Sequence, residues 1–256
     1  MKKLLMIVIV IGLLPACKKK KKDEEETTTP TTIPVNPPQP PVLTINIPSD
    51  ADGVLMATQI PYEFSNSYVT QLGRASAFFY TAPGNYNYVD AGTVTCNDSV
   101  LVKQSGGSYY FAGKAINGQP FSGINFGSGS TWSVTGTSSV PSFTYNTAVF
   151  PSICALTSGT NIPKTSPYTT TFGGGANADS VVVMMVCDSV LLKKTVDIPS
   201  GTCNFSAAEV ASVKKHGSTN FSYINFVSYK IQANVVSTKK YYMVNSITST
   251  YRVNVY

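Results

Sequence analysis

The chain of 256 residues carries 19 lysines and arginines against 13 aspartates and glutamates, a formal net charge of +6 at pH 7. Seven of those lysines and four of those acids lie before residue 43. The rest of the chain therefore carries 12 basic and 9 acidic residues, and this small excess does not support nucleic-acid binding.

The first residues have the layout of an export signal, with two lysines before an apolar run over residues 4–14. A run of about 11 residues is too short to cross a bilayer as a helix, and such signals are excluded from the mature fold. The motif Leu14-Pro15-Ala16-Cys17 resembles the lipobox of bacterial lipoproteins. The resemblance implies a signal peptide over residues 1–16, cleavage before Cys17 and lipid attached to that cysteine. The alternatives are an ordinary secretory signal with a chance cysteine, or an uncleaved anchor.

Residues 17–42 combine the cysteine with a charged spacer and a linker. Five lysines at residues 18–22 precede four acids at residues 23–26, and such blocks stay solvated. This mixture resembles the export tags that send some Gram-negative lipoproteins to the outside of the outer membrane; the alternative is a plain spacer near anionic headgroups. The Thr- and Pro-rich residues 27–42 predict an extended tether of roughly 50 Å. We expect an outer-membrane, lipid-anchored protein that faces the cell exterior.

The body, residues 43–256, has the composition of an all-β protein. Short runs rich in β-branched and aromatic residues alternate with Gly, Pro, Asn and Asp, a pattern typical of β-sandwiches. Two segments recur in the same order, since residues 96–103 are echoed at 187–193 and residues 121–126 at 221–226. The shared order indicates two copies of one unit.

The duplication predicts two tandem Ig-like β-sandwich domains, residues 43–151 and 152–256, each of a normal size for that architecture. The motif Ser206-Ala207-Ala208-Glu209 is a capping box and predicts one short helix over residues 207–215 in the second domain. This layout resembles that of Gram-negative surface lipoproteins that carry Ig-like domains behind a Thr/Pro tether. No activity is established for such proteins as a class, so the resemblance implies none.

Four cysteines follow Cys17, and an even number in an exported chain permits two disulfides. If the two domains fold independently, the expected pairs are Cys96–Cys154 and Cys187–Cys203. The alternative is four free or buried thiols, because cysteine often packs as a small hydrophobe.

Three Asp-Ser-Val triplets begin at residues 98, 179 and 188. They resemble the acceptor motif of an O-glycosylation system found in some Gram-negative bacteria. The resemblance implies a glycan on one or more of Ser99, Ser180 and Ser189. The alternative is structural, with the aspartate closing a turn and the Ser-Val pair opening a strand.

Residues that carry catalysis are scarce in this chain. The only histidine, His216, lies at the predicted helix end, where a cation caps the helix. Asp50-Ala51-Asp52-Gly53 is a fragment of a calcium loop that lacks the remaining ligands, and the cysteines lack zinc-site spacing. The body holds only two glutamates, Glu63 and Glu209, too few to nominate a glycosidase pair. We expect no enzyme, no catalytic residues, no metal and no cofactor.

Aromatic side chains are the remaining signal for binding. Several of the 15 tyrosines lie in neighbouring pairs, namely Tyr86/Tyr88, Tyr109/Tyr110 and Tyr241/Tyr242. Adjacent strand residues face opposite sides, so one of Tyr109 and Tyr110 is expected at the surface. There it can stack on a sugar or anchor a protein, as can Trp132. For Trp132 the alternative is a core position, because its strand alternates.

The sequence thus predicts a non-catalytic, membrane-anchored lipoprotein that is displayed on the cell surface and binds a glycan or a protein partner. Its contact with the membrane is the lipid anchor. The alternative is a structural or assembly component of the cell envelope, either facing the periplasm or within a larger complex.

Overall fold

A computed structural model gives the structure of the chain and describes residues 45–65, 68–111, 114–116, 119–127, 129–147, 149–187, 190–213 and 222–256. All of them belong to one compact unit, residues 40–256. Cys17, Ser189 and His216 lie outside the described residues, as do the leader and the charged spacer. The predictions made for those segments therefore stay predictions.

Strands make up most of the described residues, with one α-helix, which confirms the all-β class. In chain order the elements are β1 (Gly53–Ser65), β2 (Tyr68–Phe79), β3 (Val94–Cys96), β4 (Ser99–Val100), β5 (Val102–Lys103), β6 (Tyr109–Phe111), β7 (Lys114–Ile116), β8 (Gln119–Ser122), β9 (Ser130–Val134), β10 (Phe143–Thr147), β11 (Cys154–Leu156), β12 (Asn161–Ile162), β13 (Tyr168–Gly174), β14 (Ser180–Cys187), β15 (Val190–Asp197), a 3-10 turn (Ile198–Ser200), β16 (Thr202–Phe205), α1 (Ala207–Ser212), β17 (Ser222–Val236) and β18 (Lys239–Val255).

One large sheet runs through the whole body in the order β15-β14-β17-β18-β1-β2-β6-β5, and β12 pairs with the end of β18. Neighbours along this path are antiparallel except at its centre, where β1 and β18 are parallel over residues 53–59 and 241–247. Both central strands belong to long hairpins, β1 with β2 and β18 with β17. The first and last strands of the body are thus joined directly.

Two smaller sheets, β10-β9-β3-β4 and β11-β13-β16, contribute to two separate hydrophobic cores. The inward-facing residues of the large sheet alternate along each strand and supply the other side of both cores. Members of the first core include Leu55, Phe79, Tyr109, Trp132, Tyr241 and Met243. Members of the second core include Ile162, Phe172, Met185, Phe205, Ile224 and Phe226.

The opposite face of the large sheet carries a third cluster, which we call the outer cluster. Most of its members are strand residues that alternate with the inward-facing ones and so point to the opposite side of the sheet. The chain before β1 adds Ile45 and Ala51. Its main members are Ile45, Ala51, Val54, Phe78, Tyr80, Val182, Tyr229, Tyr242 and Val244. The segment that enters from the tether is therefore packed against the middle of the sheet.

The two predicted Ig-like domains are not confirmed. The cores divide the chain close to the predicted boundary after residue 151, yet the large sheet crosses that boundary. Tyr241 and Met243, from the second segment, are buried in the first core. The repeated segments do not occupy equivalent strands either. Residues 96–100 run from β3 to the edge strand β4 of the four-stranded sheet, whereas Cys187 and residues 190–193 belong to β14 and β15 of the large sheet.

The predicted helix is present and begins where the capping box placed it. The Ser206 Oγ accepts a hydrogen bond from the Glu209 N–H at 3.2 Å, and Glu209 Oε2 accepts one from the Ser206 N–H at 2.7 Å. The helix ends at Ser212, earlier than expected, because Val213 adopts an extended backbone and is buried in the second core.

Candidate functional site

The structure buries two of the three aromatic residues predicted to bind a partner. Trp132 lies on β9, where every second residue points inward, and its side chain is fully buried in the first core. Tyr109 is buried in the same core. Tyr110 is the exposed member of its pair, and its hydroxyl accepts a 3.4 Å hydrogen bond from Arg74 Nη1. Tyr110 is thus the member of its pair that reaches the surface, and Trp132 takes the core position that its alternating strand left open.

Tyr109 instead ties a loop to the sheet. Its hydroxyl donates to Asp90 Oδ1 at 2.7 Å and accepts from the Ala91 N–H at 2.9 Å. Burial, together with the bond to Asp90, raises the pKa of Tyr109 to about 12. Lys103 Nζ lies 2.7 Å from Asp90 Oδ2 and, with Tyr109, holds the pKa of Asp90 well below its usual range. This arrangement is structural.

A different group of tyrosines forms the best candidate for a binding site. Tyr80, Tyr86 and Tyr88, here called the tyrosine platform, lie at the end of β2 and on the loop that follows it. The rings of Tyr80 and Tyr88 stack with centroids 5.9 Å apart and planes at 29°. Tyr86 meets Tyr80 edge-on at 5.8 Å and 88°. Phe78 lies 5.7 Å from Tyr88 and joins the platform to the outer cluster.

The local sequence explains how the platform is built. Ala82-Pro83-Gly84-Asn85 forms a tight turn in which the Asn85 N–H bonds to the Ala82 carbonyl at 3.1 Å. Proline at its second position and Gly84 with φ +73° at its third fit a type II turn. An isolated bridge pairs Tyr80 with Tyr88. Tyr86 is thereby carried at the tip of a closed loop.

The platform is partly covered and partly open. Tyr80 keeps only 6% of its surface exposed, whereas Tyr86 keeps 60%. Within the part of the chain that the structure describes, the hydroxyls of Tyr80, Tyr86 and Tyr88 make no hydrogen bond. Burial raises the pKa values of Tyr80 and Tyr88 above the ordinary tyrosine value, which already lies well above neutral pH. The platform therefore offers one open ring, that of Tyr86, whose hydroxyl makes no hydrogen bond within the described chain.

Asp50 and Asp52 adjoin the platform and bind β18. Lys240 Nζ lies 2.7 Å from Asp50 Oδ2, and the Tyr242 hydroxyl donates to Asp50 Oδ1 at 2.7 Å. Asp52 Oδ2 accepts from the Lys240 N–H, and the Asp52 carbonyl accepts from the Tyr80 N–H, both at 2.8 Å. These contacts leave the calcium-loop interpretation without support, and among the described residues no cluster of three His, Cys, Asp or Glu side chains could hold a metal ion.

The expected disulfides do not form. Cys96, Cys154 and Cys203 are free and buried, Cys96 in the first core and the other two in the second. The side chain of Cys187 lies outside the described residues. Burial raises the pKa of each of the three thiols. The cysteines behave as small hydrophobes here, which is the alternative that the sequence left open.

The two Asp-Ser-Val triplets that the structure describes, at residues 98–100 and 179–181, lie at turns and strand starts. Asn97 and Asp98 both have positive φ, 44° and 60°, and join β3 to β4 as a two-residue hairpin turn, with Ser99 opening β4 at a sheet edge. Ser180 opens β14, which is flanked by β15 and β17, and its hydroxyl donates to Asp197 Oδ1 at 3.4 Å. The positions fit the structural interpretation, and glycosylation stays a prediction.

No protein-family model and no curated protein matches this chain. The site must therefore be interpreted from its own geometry. In the segments that the structure describes, no helix is long and apolar enough to cross a membrane.

The sequence marked Tyr86 and Tyr88 as a neighbouring pair but gave no sign of Tyr80. The contact of Tyr80 with the other two tyrosines depends on the bridge that closes the loop.

Proposed function

We propose that the protein is a non-catalytic lipoprotein, anchored to the outer membrane through lipid on Cys17, whose all-β body faces the cell exterior and binds a glycan or a protein partner. The lipobox and the charged spacer support the anchor and its destination. The tyrosine platform is the observation that carries the binding role, because an exposed ring held on a buried aromatic base is a common anchor at interfaces.

Protease shaving of intact cells tests the surface location. The full chain carries a tag after Tyr256, and a periplasmic protein serves as the leakage control. Loss of the tag while the periplasmic control survives is the expected result. Loss only after the outer membrane is opened would contradict surface display. A Cys17→Ser variant, which lacks the lipid-bearing thiol, should leave the membrane fraction if the lipobox is used.

A structural role within a larger envelope assembly is the second candidate, and the exposed sheet edges favour it. Val100 on β4 and Val102 on β5 are 58% and 64% exposed, and these strands end the four-stranded sheet and the large sheet. An edge strand presents unpaired backbone N–H and C=O groups to which another chain can add a strand. Replacing both valines with lysine should release the protein from such an assembly in cross-linking of intact cells, whereas a surface-binding role predicts no change.

We also propose Ser99 as the first O-glycan site to test. It lies on an edge strand, whereas Ser180 lies on a strand paired on both sides, so a bulky modification fits Ser99 better. The intact mass of the native protein should exceed that of lipidated polypeptide, and Ser99→Ala should reduce the excess. A mass equal to that of the polypeptide plus lipid would contradict O-glycosylation.

A further inference from the structure

We propose that the tyrosine platform is a carbohydrate subsite that takes an uncharged pyranose ring against the exposed ring of Tyr86. This inference rests on the proposed binding function and chooses the glycan over the protein partner. Three features of the loop support the inference: the loop is rigid, its neutral polar side chains have free hydrogen-bonding capacity, and the charged residues beside it are already paired.

The platform is held in place before any ligand binds. Tyr80 is almost fully buried in the outer cluster, and its N–H bonds to the Asp52 carbonyl at 2.8 Å. Tyr86 rests edge-on against Tyr80, and the Thr81 N–H bonds to the Asn87 carbonyl at 3.0 Å across the base of the loop. A preordered ring loses little conformational freedom when a ligand stacks on it.

Neutral hydrogen-bonding side chains lie on the same loop as the exposed ring. Thr81 and Asn87 are exposed, and their side chains make no hydrogen bond within the described part of the chain. The side-chain oxygen Oδ1 of Asn85 accepts a hydrogen bond from the Asn87 N–H at 3.0 Å, which leaves the side-chain NH₂ of Asn85 as the remaining donor. Hydroxyls and amides both donate and accept, as the hydroxyl groups of a sugar require.

The charges beside the loop are already paired, which favours an uncharged ligand. Asp50 pairs with Lys240 and Asp90 pairs with Lys103, each at 2.7 Å. The loop also lacks the wide apolar surface of a protein hot spot. Within residues 78–90, all of which are described, Tyr86 is the only large hydrophobic side chain that is well exposed. One ring among amides and hydroxyls matches the size and polarity of a single sugar unit.

Isothermal titration of the full chain, purified in a detergent without a sugar headgroup, tests the inference. The probes are neutral β-linked hexasaccharides of glucose, mannose, galactose and xylose, with hexagalacturonate as an acidic probe of equal length. The variants are Tyr86→Ala, Tyr86→Phe, which keeps the ring, and Tyr256→Ala. Tyr256 is the matched control because it is also 60% exposed but lies at the end of the chain, outside the platform.

At least one neutral hexasaccharide should bind. Tyr86→Ala should weaken that binding by about tenfold or more, whereas Tyr86→Phe and Tyr256→Ala should stay within about threefold of the native chain. The inference is overturned if no neutral probe binds, if only hexagalacturonate binds, or if Tyr86→Ala and Tyr256→Ala have equal effects. A surface-exposed chain that binds none of the probes would leave the proposed function standing with a protein partner and remove only the carbohydrate.

Discussion

Tyr109 and Tyr110 are adjacent on β6, yet their side chains lie on opposite faces of the large sheet. The inward one makes two short hydrogen bonds beneath the loop at residues 90–92, and the outward one makes a single long bond to Arg74. Both lose only a hydroxyl when replaced by phenylalanine. The pair therefore isolates the effect of burial on a tyrosine hydroxyl.

We expect Tyr109→Phe to lower the free energy of unfolding by about 1–3 kcal/mol, because the buried Ala91 N–H loses its acceptor and Asp90 loses a donor. Tyr110→Phe should change the free energy of unfolding by less than about 0.5 kcal/mol, since the hydroxyl of Tyr110 is at the surface. Urea unfolding of the two variants beside the native chain measures both values. Equal losses would contradict the structural role assigned to Tyr109.

The buried thiols give a second prediction for single residues. Cys96, Cys154 and Cys203 should resist alkylation by iodoacetamide in the folded chain, because burial limits access and raises their pKa values, so that little thiolate forms. All three should react once urea unfolds the protein, without prior reduction. Peptide mapping by mass spectrometry identifies each cysteine, and a requirement for reductant would show that disulfides form after all.

Between elements, the segment before β1 is fastened to β18 by Asp50 and Asp52. Lys240 and Tyr242 hydrogen-bond to Asp50 and hold its pKa below the usual value. In the unfolded chain an aspartate takes up its proton near pH 4. The contribution of this contact to stability is thus fully present above about pH 4 and is lost as the pH falls through the lower pKa of the folded state.

We therefore expect the free energy of unfolding of Asp50→Asn to decline less steeply below about pH 4 than that of the native chain. Lys240→Met removes the same ion pair from the other partner and should flatten the same part of the curve. Urea midpoints measured across this range provide the comparison. Parallel curves for all three proteins would contradict a folded-state ion pair at Asp50.

Elements whose signals are local could be predicted from the sequence, and contacts between distant segments could not. The capping box spans four residues, and the strand alternation around Trp132 indicated a core position. The contact between Asp52 and Lys240 joins residues 188 apart, and no local pattern marks it. The contact of Tyr80 with the other tyrosines of the platform could not be predicted for a similar reason, because it depends on a bridge that closes the loop.

At the scale of the whole molecule, β18 belongs to both cores. Its first half pairs with β1 and supplies Tyr241 and Met243 to the first core, and its last residues supply Val253 and Val255 to the second. A buried polar group lies along the same strand: Asn245 bonds to Ser130 and to Thr147 at 2.8 and 2.7 Å. Sequence repeats cannot reveal a strand shared in this way, since they indicate only that each copy has a core.

We expect the body to unfold in one cooperative transition, because neither core is complete without β18. Met243→Ala in the first core and Ile224→Ala in the second should each lower the free energy of unfolding by about 2–5 kcal/mol. Each should also lower the melting temperature of that single transition. Val235→Ala, an exposed change on β17, is the control and should leave it in place. Scanning calorimetry of the full chain provides the measurement. Two resolved transitions, with Met243→Ala moving only one of them, would instead support two independent domains divided near residue 151.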